Sequence, residues 1–417
     1  MTTPGRPMPE HGPASGPKSL LFSPWELPHL RVRNRIVRSA TYEGLADERG
    51  SPRPALGALY RALAEHEVGT IVTGFAYVSA RGRAMQPLQC GIDGDDKIAP
   101  WADVVAEVRK APERTVLVLQ IAHAGLQTLP GKTGLAAWAP SVWRSRYFGT
   151  TPTAMTQGQV LETVEQFAAA ALRAKRAGFD AVQVHAAHGY LVHQFLSPLV
   201  NRRGDLWGRN RFAFLRSILV AIRHRCGDGF PVFVKLSAGD GLAGGVDLPL
   251  ACAHAVEMAA AGVEAIEVSF GTMEHALNIF RGGVPIDTVL RHNPLFCDKP
   301  RWQLTLWKRF GYPRLRKQLI AFRENYNLEA ARRVKEASHL PVIVVGGIRR
   351  LAAMEAILSA GDADAVAMCR PFLCEPDLAA KLKASVQTGS RCNNCNECAV
   401  MCDAPVSVRC HSPRGAA

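Results

Sequence analysis

Short runs of aliphatic residues alternate with amphipathic segments along most of the chain. Eight aliphatic runs, most of them unbroken Val, Ile and Leu, occupy residues 35–39, 70–75, 115–121, 181–185, 232–236, 265–269, 342–345 and 365–368. Strands that are apolar on both faces are typical of parallel sheets with both faces covered. The pattern therefore predicts eight buried parallel strands.

The segments between these strands carry helix signals. Thr156 and Gln159 have the spacing of a capping box, and Gly178 stands where the helix that they begin should end. Residues 211–225 and 354–358 again place apolar side chains on one helical face. Strands and helices therefore alternate along the chain.

Eight such alternations favour an α/β fold in which crossovers join parallel strands. Closure into a (β/α)8 TIM barrel leaves no sheet edge. An open doubly wound sheet is the competing architecture, but no glycine fingerprint follows the first strand. We predict a (β/α)8 barrel with a C-terminal cysteine-rich extension.

Three segments depart from the alternation. Residues 1–18 are rich in Pro, Gly and Ser and lack an apolar stretch, which predicts a disordered tail rather than a signal peptide. Within a barrel domain of residues 19–388, residues 270–325 are predicted to form an insertion after strand six at the catalytic face. The alternative for this insertion is a surface excursion that only packs on the barrel wall. Residues 389–417 form the cysteine-rich segment.

Composition and charge narrow the class of protein. The chain has 417 residues, of which 47% are hydrophobic, enough for a sizeable core, and no apolar run is long enough for a membrane span. A cytoplasmic location is the default expectation. The net charge of +14 is scattered without a basic run, which disfavours nucleic-acid binding. A phosphorylated cofactor, an anionic substrate, an acidic protein partner or a solvated basic surface agrees with this charge.

Polar residues cluster where the predicted strands end, which is where barrel enzymes place their active residues. His185, His188 and Tyr190 follow strand four, and all three can donate hydrogen bonds to an oxyanion or deliver a proton. Gln120 ends strand three and suits the pyrimidine edge of a flavin. Lys235 on strand five needs an anionic partner, either a reduced flavin or a carboxylate on a neighbouring strand.

The last two strands run into a candidate phosphate site. Strand seven is followed by Gly346 and Gly347, and strand eight by Arg370. Loops after strands seven and eight commonly bind phosphate in these barrels, and an arginine adds a bidentate donor.

These motifs together resemble those of the Old Yellow Enzyme-like NADH:flavin oxidoreductases. The resemblance covers roughly residues 20–410 and rests on residues 34–37, 120–125, 185–198 and 201–205. It implies non-covalently bound FMN, NAD(P)H as co-substrate and reduction of activated C=C bonds.

The resemblance also implies roles for individual residues. His185 and His188 hold the carbonyl oxygen of the substrate and Tyr190 donates a proton to its α-carbon. The residues that would contact the flavin or its phosphate are Ser39, Ala40, Gly74, Gln120, Lys235, Gly347 and Arg370. Two positions depart from the family pattern: Tyr42 stands where Thr, Cys or His is usual near the flavin, and Cys369 where many members have Gly.

Five of the 11 cysteines crowd into the C-terminal segment, which favours a metal centre over disulfides. Cys392, Cys395 and Cys398 follow one another with two residues between each pair and can wrap one face of an iron–sulfur cluster, with Cys402 or Cys410 as fourth ligand. The spacing to Cys410 resembles that of the trimethylamine dehydrogenase and dienoyl-CoA reductase branch, which implies a 4Fe–4S cluster on Cys392, Cys395, Cys398 and Cys410. Structural zinc and free thiols are the alternatives.

The leading hypothesis is an FMN-dependent reductase of enones or enoates. Electrons are expected from NAD(P)H directly or from a separate electron-carrier protein through the cluster. The alternatives are an amine dehydrogenase or demethylase with the same cofactors, and a non-catalytic electron-transfer subunit. Assembly as a homo-oligomer is left open.

Overall fold

The computed structural model describes residues 19–412, so the tail predicted at residues 1–18 lies outside the described residues. Eight parallel strands form the barrel: β1 (Ile36–Arg38), β2 (Thr70–Val72), β3 (Val116–Ala122), β4 (Ala181–Ala186), β5 (Val232–Ser237), β6 (Ala265–Ser269), β7 (Val342–Val345) and β8 (Ala365–Met368). Each strand pairs with its neighbours in chain order and β8 pairs with β1. The predicted (β/α)8 barrel is confirmed.

One main helix follows each strand. These are α1 (Pro54–Glu65), α2 (Ile98–Val108), α3 (Gln157–Arg176), α4 (Ala213–Cys226), α5 (Leu248–Ala260), α6 (Leu328–Ser338), α7 (Leu351–Ser359) and α8 (Leu378–Lys383). The capping box predicted from Thr156 and Gln159 is present at the start of α3. Gly178 has φ +92° just beyond the end of this helix, where glycine has no steric penalty.

An N-terminal hairpin closes one end of the barrel. Its strands, Trp25–Glu26 and Arg31–Val32, are antiparallel. Trp25 shares a buried cluster with Val116, Ala181 and Ala265, each the first residue of its strand. Apolar side chains of the hairpin therefore cover the amino ends of these strands.

Two segments cover these carboxyl ends, and we call them together the roof: residues 270–325 between β6 and α6, and residues 389–412. The helices of the first are Ala276–Phe280, Ile286–His292, Arg301–Leu306, Trp307–Gly311 and Tyr312–Arg316. The second contains Glu397–Val400 and the 3-10 turn Met401–Asp403. The N–H of Gly283 donates to the carbonyl of Asn394 at 2.8 Å, so the two segments are joined. No helix within residues 19–412 has the length and apolar character of a membrane span.

Shorter elements complete the described chain. They are the helices Pro130–Thr133, Leu191–Leu196, Leu206–Arg209 and Arg370–Cys374, the 3-10 turns Ala80–Gly82, Asp95–Lys97 and Met273–His275, and the strands Ala76–Tyr77, Trp138–Ala139 and Thr153–Ala154.

Candidate active site

A cavity of about 720 Å³ opens at the carboxyl ends of the strands. Ten residues predicted for the site line it: Ala40, Tyr42, Gln120, His185, His188, Tyr190, Lys235, Gly346, Gly347 and Arg370. Both parts of the roof contribute further lining residues. The barrel thus brings together side chains that are separated by more than 300 positions in sequence.

The bottom of the cavity is a network of strand residues, which we call the floor network: Ser39, Gln120, Gln183, Lys235 and Glu267. Lys235 Nζ lies 2.8 Å from Glu267 Oε1, and both residues are buried. Gln183 Nε2 donates to Glu267 Oε2 at 2.9 Å, and Gln120 Nε2 donates to Gln183 Oε1 at 2.6 Å. Parallel pairing aligns Lys235 with both His185 and Glu267, which sets all three at one level of the barrel.

Of the two anionic partners predicted for Lys235, the structure contains the carboxylate on a neighbouring strand, that of Glu267. Lys235 also lines the cavity. A buried cation beside a buried carboxylate avoids the large cost of an isolated charge. Sequence analysis did not single out Glu267. The signal was available, because a Glu inside the aliphatic run 265–269 needs a buried partner.

Ser39 and Gly74 lie behind the residues that line the cavity. The Ser39 hydroxyl donates to Glu267 and accepts a hydrogen bond from Lys235 Nζ at 2.7 Å. The N–H of Gly74 donates to Glu43 Oε1 at 2.9 Å, and a Cβ at Gly74 would lie 2.1 Å from the other carboxylate oxygen of Glu43. Gly74 thus allows close packing around Glu43, which is paired with Arg38 at 2.7 Å.

His185, His188 and Tyr190 form one aromatic group, which starts on β4 beside Lys235 and lines the cavity. The ring of His185 lies 5.1 Å from that of His188 and 4.9 Å from that of Tyr190, measured between centroids. His188 Nε2 is 2.8 Å from the hydroxyl of Ser269. His185 Nδ1 is buried and has no hydrogen-bond partner among the described residues.

Burial sets the protonation of this group. It lowers the pKa of His185 well below the usual value, and the charge of Lys235 lowers it further. Burial and His185 have the same effect on the pKa of His188. Burial also raises the pKa of the Tyr190 phenol. Both imidazoles are therefore neutral and Tyr190 is protonated at neutral pH, which makes all three hydrogen-bond donors.

The residues present fit a flavin with a phosphate tail. The Tyr42 hydroxyl and His185 Nδ1 are buried polar atoms without a partner in the described chain, and both residues line the cavity. Such atoms are costly unless a ligand or water satisfies them. Lys235 adds a cation at the floor, and Gln120 an amide group.

The end of the cavity that is predicted to hold the phosphate is formed by β7, β8 and the roof. Gly347 has φ +74°, and a Cβ there would lie 2.8 Å from the carbonyl of Arg323. Arg370 donates to the carbonyl of Arg281 at 3.0 Å and to the Asn396 side chain. Arg349, which sequence analysis missed, also lines the cavity and donates to the Cys392 carbonyl. Two guanidinium groups thus stand at the predicted phosphate site and tie it to the cysteine segment.

Four of the cysteines predicted as metal ligands, Cys392, Cys395, Cys398 and Cys410, line a second cavity of about 10 Å³. Cys374 lines it too, although its sequence position had grouped it with the dispersed cysteines. Cys402, the other candidate for fourth ligand, lines the large cavity instead. Within residues 19–412, no group of three or more His, Cys, Asp or Glu side chains is arranged to hold a metal ion.

The geometry defines a (β/α)8 barrel whose catalytic end suits a large, phosphate-bearing ligand. Residues 20–289 and 312–388 match the model of the NADH:flavin oxidoreductase / NADH oxidase family. The chain therefore belongs to this family, and the resemblance inferred from its motifs is confirmed.

Individual relatives agree with this membership. The chain is 31% identical to an NADH oxidase of Thermoanaerobacter brockii over 90% of its own length, and it spans only 52% of that protein. It is 37% identical to an NADPH dehydrogenase of Bacillus subtilis (strain 168), over 63% of this chain and 77% of the relative.

Solved structures share the fold. A 2-naphthoyl-CoA reductase complex superposes with a TM-score of 0.74 at 21% identity, over 88% of this chain and 52% of that one. A morphinone reductase superposes with a TM-score of 0.69 at 23% identity, over 92% of this chain and 97% of that one.

Proposed function

We propose that this chain is an FMN-dependent oxidoreductase that reduces the C=C bond of α,β-unsaturated carbonyl compounds, with electrons from NAD(P)H or a protein donor. The observation that carries the proposal is the grouping of His185, His188 and Tyr190 with Lys235 in one cavity. When bound, FMN would supply the hydride for this reaction.

The residues that line the cavity support the proposed binding of FMN. Gln120 and Lys235 would contact the ring at the floor, with Ala40 and Tyr42 beside it. At the other end, Gly346, Gly347 and Arg370 would hold the phosphate, with Arg349 as a second cation. Arginine and backbone N–H groups are the usual donors for such an anion.

The substrate would meet three neutral donors. His185 and His188 hold the carbonyl oxygen through N–H groups, and they stabilise the negative charge that develops there as the double bond accepts hydride. Tyr190 protonates the α-carbon. Preorganised donors in a site with little water act more strongly than the same groups in solution.

The cysteine segment would hold a 4Fe–4S cluster through Cys392, Cys395, Cys398 and Cys410. The support is chemical, because these thiols surround one small cavity and thiolates are the usual ligands of such clusters. The described positions of these thiols do not by themselves form a metal site, so the proposal rests on the identity of the side chains and on their shared cavity. Such a cluster would let a separate electron carrier reduce the flavin.

The deciding experiment is flavin, iron and sulfide analysis of anaerobically purified protein, followed by reduction of an enone with NADH and with NADPH. Bound FMN and turnover are expected, with about four irons per chain. Cys392→Ser should lose the iron, and Cys402→Ser should keep it. Protein that binds no flavin would overturn the proposal, whereas flavin without iron would overturn only the cluster.

Amine dehydrogenation is the second candidate, and the carboxyl group of Asp403 in the large cavity favours it because a carboxylate attracts an ammonium group. Reduction of the bound flavin by methylated amines, with no reduction of enones, would establish it.

A further inference from the structure

The roof places a carboxyl group inside the large cavity. Asp403 belongs to the turn Met401–Asp403, is half-buried and contacts side chains of two other segments. Asn293 Nδ2, from the insertion, donates to its Oδ2 at 2.7 Å and also to the Tyr147 hydroxyl at 2.8 Å. The Gln86 side chain is a further hydrogen-bond partner.

This carboxyl group has amide partners but no cation. Within the described residues, no Lys, Arg or His forms an ion pair with Asp403. Burial raises its pKa to about 7 despite the hydrogen bonds from Asn293 and Gln86. A ligand with a positive charge would stabilise this carboxylate, because a buried charge costs less free energy when it has a partner of opposite charge.

The surroundings of Asp403 define the rest of the ligand. Asp403 lies close enough to Tyr190 for its charge to help raise the pKa of that phenol. The roof adds apolar and aromatic lining residues on the same side of the cavity, among them Phe280, Val289, Leu295, Phe296, Trp307 and Leu319. A ligand that spans both regions is apolar along its length and polar at its ends.

We propose that Asp403, positioned by Asn293 and Gln86, binds the ammonium group of a bulky apolar substrate whose activated alkene reaches His185 and Tyr190. This assignment rests on the proposed function, and it adds the chemical class of the substrate. The roof residues then select the substrate, while the barrel residues act on the double bond.

The test uses flavin-loaded protein and two ligands of the same shape. One is 4-[(dimethylamino)methyl]benzylideneacetone, which is protonated at neutral pH, and the other is its neutral counterpart 4-isobutylbenzylideneacetone. The dissociation constants are measured by titration of the flavin absorbance, and the rates of C=C reduction are measured separately. Wild-type protein should bind the cation more tightly by about tenfold, the value of one charge-assisted hydrogen bond.

Asp403→Asn should abolish this preference and leave the affinity for the neutral ligand unchanged, because the amide keeps the size of the side chain. Asp298→Asn, at an exposed position of the insertion, is the matched control and should keep the preference. Equal binding of the two ligands by the wild-type protein would overturn the inference without any variant. The inference would also be overturned if Asp403→Asn preferred the cation as strongly as the wild-type protein does.

The two proposals fail separately. Reduction of both ligands without an Asp403-dependent preference leaves the reductase standing and removes the subsite. Asp403-dependent binding of the cation without reduction of either ligand keeps the subsite and removes the reductase. Reduction of the flavin by the saturated amine analogue, dependent on Asp403, supports the subsite and identifies the activity as amine oxidation.

Discussion

The floor and the roof of the cavity handle buried charge in opposite ways. On the floor, Lys235 and Glu267 sit on adjacent strands and neutralise each other at 2.8 Å. In the roof, Asp403 comes from a short 3-10 turn, and its hydrogen-bond partners within residues 19–412 are the amide side chains of Asn293 and Gln86. A paired charge belongs to the scaffold, whereas a carboxylate without a cation can respond to a ligand. On our proposal, the floor maintains the site and the roof selects the ligand that enters it.

Breaking the floor pair should have the largest effect. Lys235→Met leaves Glu267 buried without its cation, which should lower the free energy of unfolding by about 3 to 5 kcal/mol and reduce flavin content. Chemical denaturation and flavin analysis measure this. The control is the exposed pair Lys308–Asp287, where Lys308→Met should cost at most about 1 kcal/mol. Equal losses for the two variants would show that the floor pair is not part of the scaffold.

The second prediction concerns the proposed proton donor Tyr190, which lies beside His185 in the cavity. Tyr190→Phe removes the proposed proton donor and should lower the rate of enone reduction by roughly 10² to 10⁴. Reduction of the flavin by NAD(P)H should stay unchanged, since it needs no proton from this phenol. Rapid-mixing kinetics separate the two half-reactions. Tyr42→Phe is the control, and an equal loss there would reassign the proton donor.

The third prediction concerns the backbone at Gly347, where the cavity is predicted to hold the phosphate. Gly347 and Gly361 both have positive φ, at +74° and +73°, but only Gly347 has close neighbours for a Cβ. Gly361→Ala should cost about 1 kcal/mol through φ alone, and Gly347→Ala about 1 to 3 kcal/mol together with weaker FMN binding. Thermal unfolding and flavin titration measure both. Unchanged FMN affinity in Gly347→Ala would place the phosphate elsewhere.

The smallest effect should come from the roof wall. Trp307 lines the cavity and packs against Phe296 at 4.8 Å between ring centroids, while Trp302 is 64% exposed. Trp307→Ala should raise KM for a bulky enone by about tenfold with little change in kcat, because it removes apolar contact without touching the donors. Trp302→Ala should leave both constants near the wild-type values. A fall in kcat for Trp307→Ala would instead mean that the roof orients the reacting atoms.

The predictions from sequence were strongest where structure is periodic. The limits of β6, β7 and β8 agree with the predicted strands. The strand predicted over residues 70–75, in contrast, ends at Val72. The chain leaves the barrel there, and the next residues meet Glu43 through the N–H of Gly74. That contact lies 31 positions away in sequence and leaves no trace in the local pattern of apolar residues.

The site also contains residues that the local sequence predicts and residues that only the tertiary structure brings into place. His185, His188 and Tyr190 follow one strand, so a single stretch of sequence places them together. Cys374, Arg349 and Asp403 were not singled out, because each stands beside a motif without being part of its spacing. Their partners come from other parts of the fold, and only the folded chain brings them within contact.

The sequence by itself determined the barrel, the strand ends that carry the catalytic candidates and the crowding of cysteines, because these depend on local periodicity and spacing. The tertiary structure decided that Lys235 meets Glu267, that Cys374 joins the other cysteines and that Asp403 enters the cavity without a cation. Strand register and the docking of two distant segments set these contacts. Both depend on the packing of the whole chain, so no local stretch of residues encodes them.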